Sequence, residues 1–310
     1  DFTDDTTGHL LLEPQSTNLV NYSNDFYQWS NGSTYITSNY AISPDGTLNA
    51  SRCLFTSENQ LIFSGTPATG TVTSSVYVKG VKNETLYLGA GGLGEVIPLT
   101  GEWQRIQTTQ TNINGQISVN SGAGATARDF LIYGAQLEQK SYPTSYIPTQ
   151  GSTVTRNQEL CNNSGTASDF NSEEGVLYAE IAYPNQTNSS NLRIAISDGT
   201  GSNRVLIQNV SSTSNRLQFY VIANGGTSTD FYTDLSDITL FNKIAFKYKA
   251  NDFSVWINGI EILTDTSGIT FPNGILTELA FDGGDGGYNF YGKTKNLKVF
   301  KRALTDAELY

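Results

Sequence analysis

The side chains that most often carry catalysis are scarce in this chain of 310 residues. His9 is the only histidine, so a Ser-His-Asp or Cys-His arrangement could be built only around that one residue. Cys53 and Cys161 are the only cysteines, which leaves too few ligands for a structural zinc site. The segment GAGGLGE at 89–95 does not open a helix after a strand, so we expect a loop and not a dinucleotide-binding fingerprint.

Paired carboxylates are the remaining catalytic option, because β-sandwich folds include glycoside hydrolases. A retaining hydrolase places two carboxyl groups about 5–5.5 Å apart, commonly from alternate positions of one strand. No Glu is followed two positions later by Asp, and the adjacent pairs Glu173-Glu174 and Asp4-Asp5 would point to opposite faces of a strand. We therefore expect a protein that is not an enzyme. Counting alone leaves open carboxylates that meet from distant strands and a lyase that uses Tyr, Arg or Lys.

Aromatic and amide side chains are abundant, and they suit the recognition of sugars. A flat ring stacks on the apolar face of a pyranose, while Asn, Gln and Asp bond its hydroxyls. We expect Trp29 and Trp103 to be core residues. Tyr220 is out of phase with the apolar residues beside it, so it could face outward. The rings that we predict to contact a ligand are Tyr35, Tyr40, Tyr87, Tyr220, Tyr232 and Tyr288.

The loop FDGGDGGYNFYGK at 281–293 is the most unusual segment of the chain. Its four glycines around Asp282 and Asp285 allow a close approach of the backbone, and carboxylates with carbonyls suit Ca²⁺. The loop lacks the full set of ligands and the spacing of an EF-hand. A flexible turn without metal is the favoured interpretation, and Asp282 and Asp285 are the predicted ligands if Ca²⁺ binds.

Composition and charge restrict the partners. The formal net charge of −11 argues against nucleic acid, whose phosphates need a basic surface. It also disfavours an acidic polysaccharide unless a cation bridges the two partners. No apolar run approaches the ~18 residues of a membrane span, so we expect no membrane insertion. Only 15% of the residues are charged, and this, with the many aromatics, favours a β-rich fold.

Short alternating segments recur along the whole chain and predict an all-β protein of two tandem antiparallel sandwiches with minimal helix. The length suits two domains, which we place at 1–150 and 151–310. Asn258-Gly259 between apolar alternations predicts a type I′ hairpin turn. Thr305 and Glu308 have the spacing of a capping box and predict one helix at the C-terminus. The predicted strands are 73–80, 84–90, 102–111, 115–120, 129–138, 175–183, 191–198, 203–210, 216–223, 242–250, 253–263 and 296–301.

The segment YGAQLEQKSYPTSYIPT at 133–149 begins as the last strand of the first sandwich. Pro143 and Pro148 then push the residues before them towards extended backbone. We expect this extended segment to run along the first sandwich and lead to the second. The expected domain boundary lies between Cys53 and Cys161, and we expect two buried free thiols and not one bridge across that boundary. The chain starts at Asp1 without Met, which indicates a trimmed or internal fragment and leaves secretion open.

Several segments together resemble a known group of proteins. LLLEPQSTNLVNYSNDFYQWS (10–30), AISPDGTLNASRC (41–53) and YGAQLEQKSYPTSYIPTQGSTVTR (133–156) resemble the carbohydrate-binding-module-like sandwich of bacteriophage tail-fibre and head-fibre proteins. GVLYAEIA, FNKIAFKYKANDFSVWINGIEI and FYGKTKNLKVFKRALTDAELY resemble the concanavalin A-like, laminin-G-like domain that often follows it. The resemblance covers nearly the whole chain, and its motifs are structural, so it transfers no binding residue.

The resemblance implies a non-enzymatic virion protein that contacts other virion subunits. It also implies a homotrimer, the state that phage fibres commonly have. Our leading hypothesis is a pair of glycan-binding modules that act as an adhesin for a host cell-surface glycan or polysaccharide. The first alternative is a purely structural fibre or capsid-decoration protein. The second is an accessory part of a polysaccharide-degrading enzyme, in which case the protein would be secreted by a bacterium or lie on its surface.

Overall fold

The computed structural model describes residues 8–31, 34–91, 94–122, 127–185 and 190–310. It confirms the all-β prediction: antiparallel strands dominate, and the one α-helix of the described ranges, α1, covers Asp306–Leu309. The chain forms two compact units. The N-terminal unit is Gln15–Gln158, and the C-terminal unit is Glu159–Tyr310 together with the segment that ends at Pro14.

Twenty-one strands occur in the described part of the chain. The first eleven are β1 Leu10–Leu12, β2 Ser16–Asn18, β3 Ser30–Asn31, β4 Tyr35–Ile42, β5 Leu48–Phe55, β6 Leu61–Gly80, β7 Thr85–Ala90, β8 Glu95–Pro98, β9 Gln104–Asn120, β10 Arg128–Glu138 and β11 Val154–Arg156. The other ten are β12 Glu174–Ala182, β13 Arg193–Ser197, β14 Arg204–Asn209, β15 Arg216–Ala223, β16 Gly226–Asp234, β17 Asn242–Lys249, β18 Phe253–Ile257, β19 Ile260–Asp265, β20 Glu278–Ala280 and β21 Gly292–Phe300.

The C-terminal unit is a sandwich of two antiparallel sheets. The six-stranded sheet has the order β1-β21-β12-β17-β18-β19, and the five-stranded sheet has the order β16-β15-β14-β13-β20. One face of each sheet supplies the shared core, in which Phe219, Phe246 and Tyr248 are fully buried. Because side chains alternate along a strand, the residues between the core positions form the outer face of each sheet.

The N-terminal unit is built from one curled sheet of eight strands, and β2 pairs with β11 beside it. The long strands β6 and β9 carry register shifts near Gly65 and Gly70, and Gly65 has a φ of 104°. Such irregularities bend a strand, so both halves of the sheet contribute to one core. Trp29 is buried there, as the sequence predicts, whereas Trp103, also expected in the core, is only half-buried.

The domain boundary expected near residue 150 differs from the division that the contacts show. Strand β1 pairs with β21, the last strand, so the segment before Pro14 belongs to the C-terminal unit. After β10 the chain stays with the N-terminal unit, because β11 pairs with β2 before the unit ends at Gln158. The sequence gives no local signal for these long-range pairings.

The extended segment 139–149 is held to the N-terminal unit by a buried polar network. Glu138 is completely buried and accepts hydrogen bonds from Ser16 Oγ and Thr144 Oγ1, both at 2.5 Å. It also accepts from the Thr144 amide at 3.0 Å and from Gln136 Nε2 at 2.7 Å. Gln136 Oε1 accepts from the Ile147 amide. The segment is thus fastened to the unit at Thr144 and Ile147, and these bonds give the buried polar groups the partners that they need.

Local predictions are confirmed at two turns. Asn258 and Gly259 both have positive φ, 52° and 80°, as a type I′ turn requires, and they join β18 to β19. Thr305 caps α1, with Glu308 accepting from its amide and its hydroxyl. Both cysteines are free thiols, and burial raises the pKa of the Cys53 thiol. None of the helices that the structure describes has the length and apolar composition needed to cross a membrane.

Candidate functional site

The outer face of the five-stranded sheet collects long polar side chains in matching register. Arg193 of β13 lies opposite Gln208 of β14. Gln208 lies opposite Gln218 of β15, and Gln218 lies opposite Tyr232 of β16. Arg193 and Gln218 each lie between two core residues, and Gln208 and Tyr232 each follow one, so the alternation of the strands places all four on the same side. The face therefore carries one line of polar groups across four strands.

These side chains are joined by hydrogen bonds. Arg193 Nε donates to Gln208 Oε1 at 2.6 Å, and Gln208 Nε2 donates to Gln218 Oε1. Gln218 Nε2 donates to Tyr232 Oη at 2.5 Å and to Asp230 Oδ1 at 2.7 Å. Since neighbouring strands lie about 4.8 Å apart, the line spans about 14 Å from β13 to β16. Gln208 is only 3% exposed, so it links its neighbours, whereas Tyr232 is 49% exposed.

Tyr288 provides an aromatic ring at the other end. The guanidinium carbon of Arg193 lies 3.9 Å from the centroid of the Tyr288 ring, a close cation–π contact. Tyr288 is 52% exposed and has a φ of 61°, so its ring is presented by a strained turn. We name the whole set the cross-sheet row, and its members are Tyr288, Arg193, Gln208, Gln218 and Tyr232.

The glycine-rich loop that contains Tyr288 is tied to the sheet. Arg204 donates to the Gly283 carbonyl at 2.6 Å, and Ser197 Oγ donates to the Gly284 carbonyl at 3.1 Å. A Cβ on Gly284 would lie 2.6 Å from the Ser197 Cβ, and Gly284 has a φ of 79°. Only glycine permits both the conformation and the contact at this point. The expected flexible turn is instead a loop packed flat on the sheet.

Asp282 and Asp285, the predicted calcium ligands, already have partners within the protein. Asp282 is buried and accepts from the Gly284 amide at 2.6 Å, and desolvation raises the pKa of its carboxyl. Asp285 accepts from Arg204 at 3.3 Å and from the Gly287 amide at 3.2 Å. Within the described ranges no group of three or more His, Cys, Asp or Glu is arranged to hold a metal ion. A guanidinium beside Asp285 competes with a cation, so this donor set fits Ca²⁺ poorly.

Tyr220 lies on the outer face, as its phase indicates, but its ring is only 8% exposed. It packs with Ala195, Leu206 and Ile222 in a small apolar cluster. The guanidinium carbon of Arg204 lies 5.7 Å from the centroid of its ring. The Tyr220 ring is therefore a support for the face and has little surface to offer a ligand.

The other predicted rings belong to the N-terminal unit. Tyr35 and Tyr40 lie on the edge strand β4 and are 67% and 52% exposed. The guanidinium carbon of Arg52 lies 5.3 Å from the Tyr40 centroid, and Arg52 also pairs with Asp129. The ring of Tyr87 on β7 covers Gly122. Of the predicted rings, Tyr232 and Tyr288 are the two that the C-terminal unit brings to opposite ends of one row.

Sequence reasoning missed the polar members of the row, Arg193, Gln208 and Gln218. The available signal was their phase, because Arg193 and Gln218 lie between apolar neighbours and Gln208 follows one, on successive predicted strands. The register that joins them depends on the length of the two hairpins, which the phase alone does not give.

The family comparison concerns the C-terminal unit. A family model described as the concanavalin A-like lectin/glucanases superfamily, Laminin_G_3, matches residues 166–309. All members of the cross-sheet row lie within the matched range. No curated protein matches the chain.

Solved structures give more distant likenesses. The CBM40 module of the Ruminococcus gnavus IT-sialidase is 15% identical with a TM-score of 0.38, and the match covers 49% of this chain and 92% of that chain. A heptameric SAP-like pentraxin from Limulus polyphemus is 12% identical with a TM-score of 0.37, covering 48% of this chain and 72% of that one. Domains LG4-5 of the mouse laminin alpha1 chain are 9% identical with a TM-score of 0.30, covering 96% and 95%.

Proposed function

We propose that this chain is a non-catalytic glycan-binding protein whose ligand lies along the cross-sheet row. The single observation that carries the proposal is the row itself: two exposed tyrosine rings at the ends of a hydrogen-bonded line of amides and a guanidinium. A concanavalin A-like lectin fold is the setting in which such a face suits a sugar. The rings offer stacking surfaces, and the amides offer donors and acceptors for hydroxyls.

The geometry favours a short oligosaccharide over a single sugar. The row extends about 14 Å across four strands, and its side chains already bond one another. A ligand that bonds them meets groups whose positions are fixed, which lowers the entropy lost on binding. Asp230 and Asp234 flank Tyr232, and Arg216 pairs with Asp234 at 2.7 Å. This acidic edge favours a neutral or amino sugar at the Tyr232 end.

The biological setting is a second part of the proposal and rests on the resemblance of several segments to phage fibre proteins. We place the protein on a virion surface as an adhesin for a host polysaccharide. There it forms a homotrimer that contacts other virion subunits. A secreted or cell-surface bacterial protein is the alternative setting. Light scattering of the purified chain measures the oligomer directly, and a monomer at all concentrations contradicts the trimer.

The first test is a binding screen of the purified full chain against host polysaccharides and a glycan array. We expect saturable binding that survives about 0.5 M salt, roughly three times physiological ionic strength, because stacking and neutral hydrogen bonds are screened little. Binding should be the same with Ca²⁺ and with EDTA, since Asp285 pairs with Arg204. Loss of binding in EDTA would restore Asp282 and Asp285 as calcium ligands.

A matched pair of variants locates the site. Gln218→Ala removes the amide that joins Gln208 to Tyr232, and we expect about tenfold weaker binding, or ~1.4 kcal/mol. Gln107→Ala removes an exposed amide from β9 of the N-terminal unit and should leave the affinity unchanged. If Gln107→Ala weakens binding and Gln218→Ala does not, the ligand lies on the N-terminal unit. Absence of binding to every host glycan favours the structural fibre protein, and depolymerisation of a polysaccharide favours the enzyme.

A further inference from the structure

The outer face of the six-stranded sheet differs from the face with the cross-sheet row. In register across it lie Lys298 of β21, Tyr178 of β12, Ala245 of β17 and Trp256 of β18. Ala245 stands between two aromatic residues. Because its side chain is a single methyl group, it leaves a slot between the positions of the Tyr178 and Trp256 rings.

The slot is the floor of a groove of about 400 Å³. Val176 and Phe300 extend the apolar surface on one side, and Leu304 and Leu309 from the segment around α1 form a wall. The turn at Asn258 and Gly259 closes the other end, where Tyr310 lies against Gly259. The volume is within the ~300–1,000 Å³ range of small-molecule sites. The groove therefore has room for one compact organic molecule.

Two lysines bring positive charge to the groove. Lys243 and Lys298 line it, and neither makes an ion pair with a described residue. Glu180 lies opposite Lys243 in register, but the two do not form an ion pair. The Lys298 Nζ lies 5.9 Å from the Tyr178 ring centroid, so its charge is held over the apolar surface.

The carboxylate of Glu308, which also lines the groove, does not cancel these charges. Arg302 donates two hydrogen bonds to it, and the Thr305 amide and hydroxyl donate two more. These donors, Arg302 first, lower the pKa of Glu308 to about 2. The negative charge of Glu308 is thus compensated by donors of the protein itself. Two lysines beside an apolar groove, without an ion pair to any residue that the structure describes, stand out on a chain whose net charge is −11.

We propose that this groove binds a small amphipathic organic anion. Its ring or short apolar body lies in the slot over Ala245, between Tyr178 and Trp256, and its acidic group meets Lys243 and Lys298. Apolar contact supplies the affinity, and the two lysines supply the preference for an anion. The site is independent of the cross-sheet row, because the two lie on opposite sheets of the C-terminal unit.

Anilinonaphthalene sulfonate is the probe for the test, since it has aromatic rings and one negative group and fluoresces on leaving water. We expect the full chain to bind it with one saturable site. The double variant Lys243→Gln/Lys298→Gln should weaken the affinity about tenfold, the ~1.4 kcal/mol of two partly solvated contacts. Lys79→Gln/Lys82→Gln removes the same charge from the N-terminal unit and should change the affinity less than twofold.

A neutral probe separates the charge from the apolar contact. Phenylnaphthylamine has the same rings without the sulfonate, so we expect the wild type to bind it more weakly than anilinonaphthalene sulfonate. The lysine double variant should bind phenylnaphthylamine with the same affinity as the wild type does. Ala245→Val fills part of the slot and should weaken both probes. Equal affinity of the wild type for the two probes, or an unchanged affinity in the Lys243→Gln/Lys298→Gln chain, overturns the proposal.

Discussion

Each of the two units contains a network of hydrogen-bonded polar side chains. The network of the N-terminal unit is buried, and that of the C-terminal unit lies on a surface. In the N-terminal unit, Glu138, Gln136, Ser16 and Thr144 bond one another beneath the segment 139–149. In the C-terminal unit, the cross-sheet row lies on the outer face of a sheet and ends in two exposed rings. Amide and hydroxyl groups are the material of both.

The difference shows how burial decides what such a network does. A buried network must satisfy itself, because an unpaired donor or acceptor away from water is costly. It therefore fixes the path of the backbone and has nothing left for a ligand. The surface row ends in rings that are about half exposed, so a ligand can reach them and the polar groups beside them. Changes to the first network should cost stability, and changes to the second should cost binding.

The largest effect should come from Glu138→Ala. It leaves donors from Ser16, Thr144 and Gln136 without an acceptor, and we expect a loss of about 3 kcal/mol or more in the free energy of unfolding of the N-terminal unit. Urea unfolding followed by the emission of Trp29 and Trp103 measures it. The control Glu102→Ala breaks only the exposed pair with Lys79 and should cost less than about 0.5 kcal/mol. Equal effects of the two variants would contradict a structural role for the buried network.

Asp282 is a buried carboxyl in the C-terminal unit, beside the cross-sheet row, and its substitution should change stability. Asp282→Ala removes the acceptor of the Gly284 amide and should cost about 1–3 kcal/mol, whereas Asp282→Asn keeps an acceptor. Desolvation raises the pKa of this carboxyl, so its ionisation opposes folding, and that cost grows as the pH rises above the ordinary Asp value of 3.8. Asp282→Asn should therefore gain stability relative to the wild type as the pH rises. If Ca²⁺ stabilises the wild type at neutral pH but not the Asp282→Asn variant, Asp282 is a calcium ligand and not only a structural carboxyl.

Tyr232 should respond in binding and not in stability. Tyr232→Ala removes a half-exposed ring, and we expect about tenfold weaker glycan binding with an unchanged unfolding midpoint. Tyr232→Phe keeps the ring and loses only the bond from Gln218, so its affinity should fall two- to fivefold at most, about 1 kcal/mol. Titration calorimetry gives both values. Tyr40→Ala is the matched control on the N-terminal unit, and a larger effect there would move the ligand to β4.

The smallest effect should be the acid response of α1. The pKa of Glu308 is about 2 in the folded chain against an ordinary value of 4.5, chiefly because Arg302 bonds its carboxylate. The contribution of the Arg302–Glu308 contact to stability is thus fully present above pH 4.5 and is lost as the pH falls through about 2. Trp256 emission, which reports on the packing of Leu304 and Leu309, should change in that range. Glu308→Gln should remove the change, and Asp306→Asn should keep it.

Much of the fold could be predicted from alternation and turn chemistry. The strand predicted at 216–223 is Arg216–Ala223, and the hairpin at Asn258-Gly259 is where its two positive φ values require. The prediction of two strands at 102–111 and 115–120 was wrong, because β9 is one strand from Gln104 to Asn120. Asn114-Gly115 looks like a break in the sequence, but pairing with β6 carries the strand through it.

The candidate site was less accessible. Tyr232 and Tyr288 were predicted from their chemistry, yet 56 positions separate them in the chain, and only the sheet places them on one face. Arg193, Gln208 and Gln218 have side chains that any exposed strand could carry. What distinguishes them is that three strands bring them into register, and register is a property of tertiary pairing. Residue type alone therefore found the ends of the row and missed its middle.

The pairing of β1 with β21 has a consequence for the order of events during synthesis. Strand β1 leaves the ribosome before its partner in the sheet, Gly292–Phe300. The whole N-terminal unit is inserted between them in the chain, and the Glu13 and Glu159 backbones on either side of the insertion are joined by a bond of 2.9 Å. The inserted unit can fold while the sheet that surrounds it in sequence waits for its final strand. A gene that joins residue 14 directly to residue 159 should consequently yield the C-terminal unit with its edge strand in place.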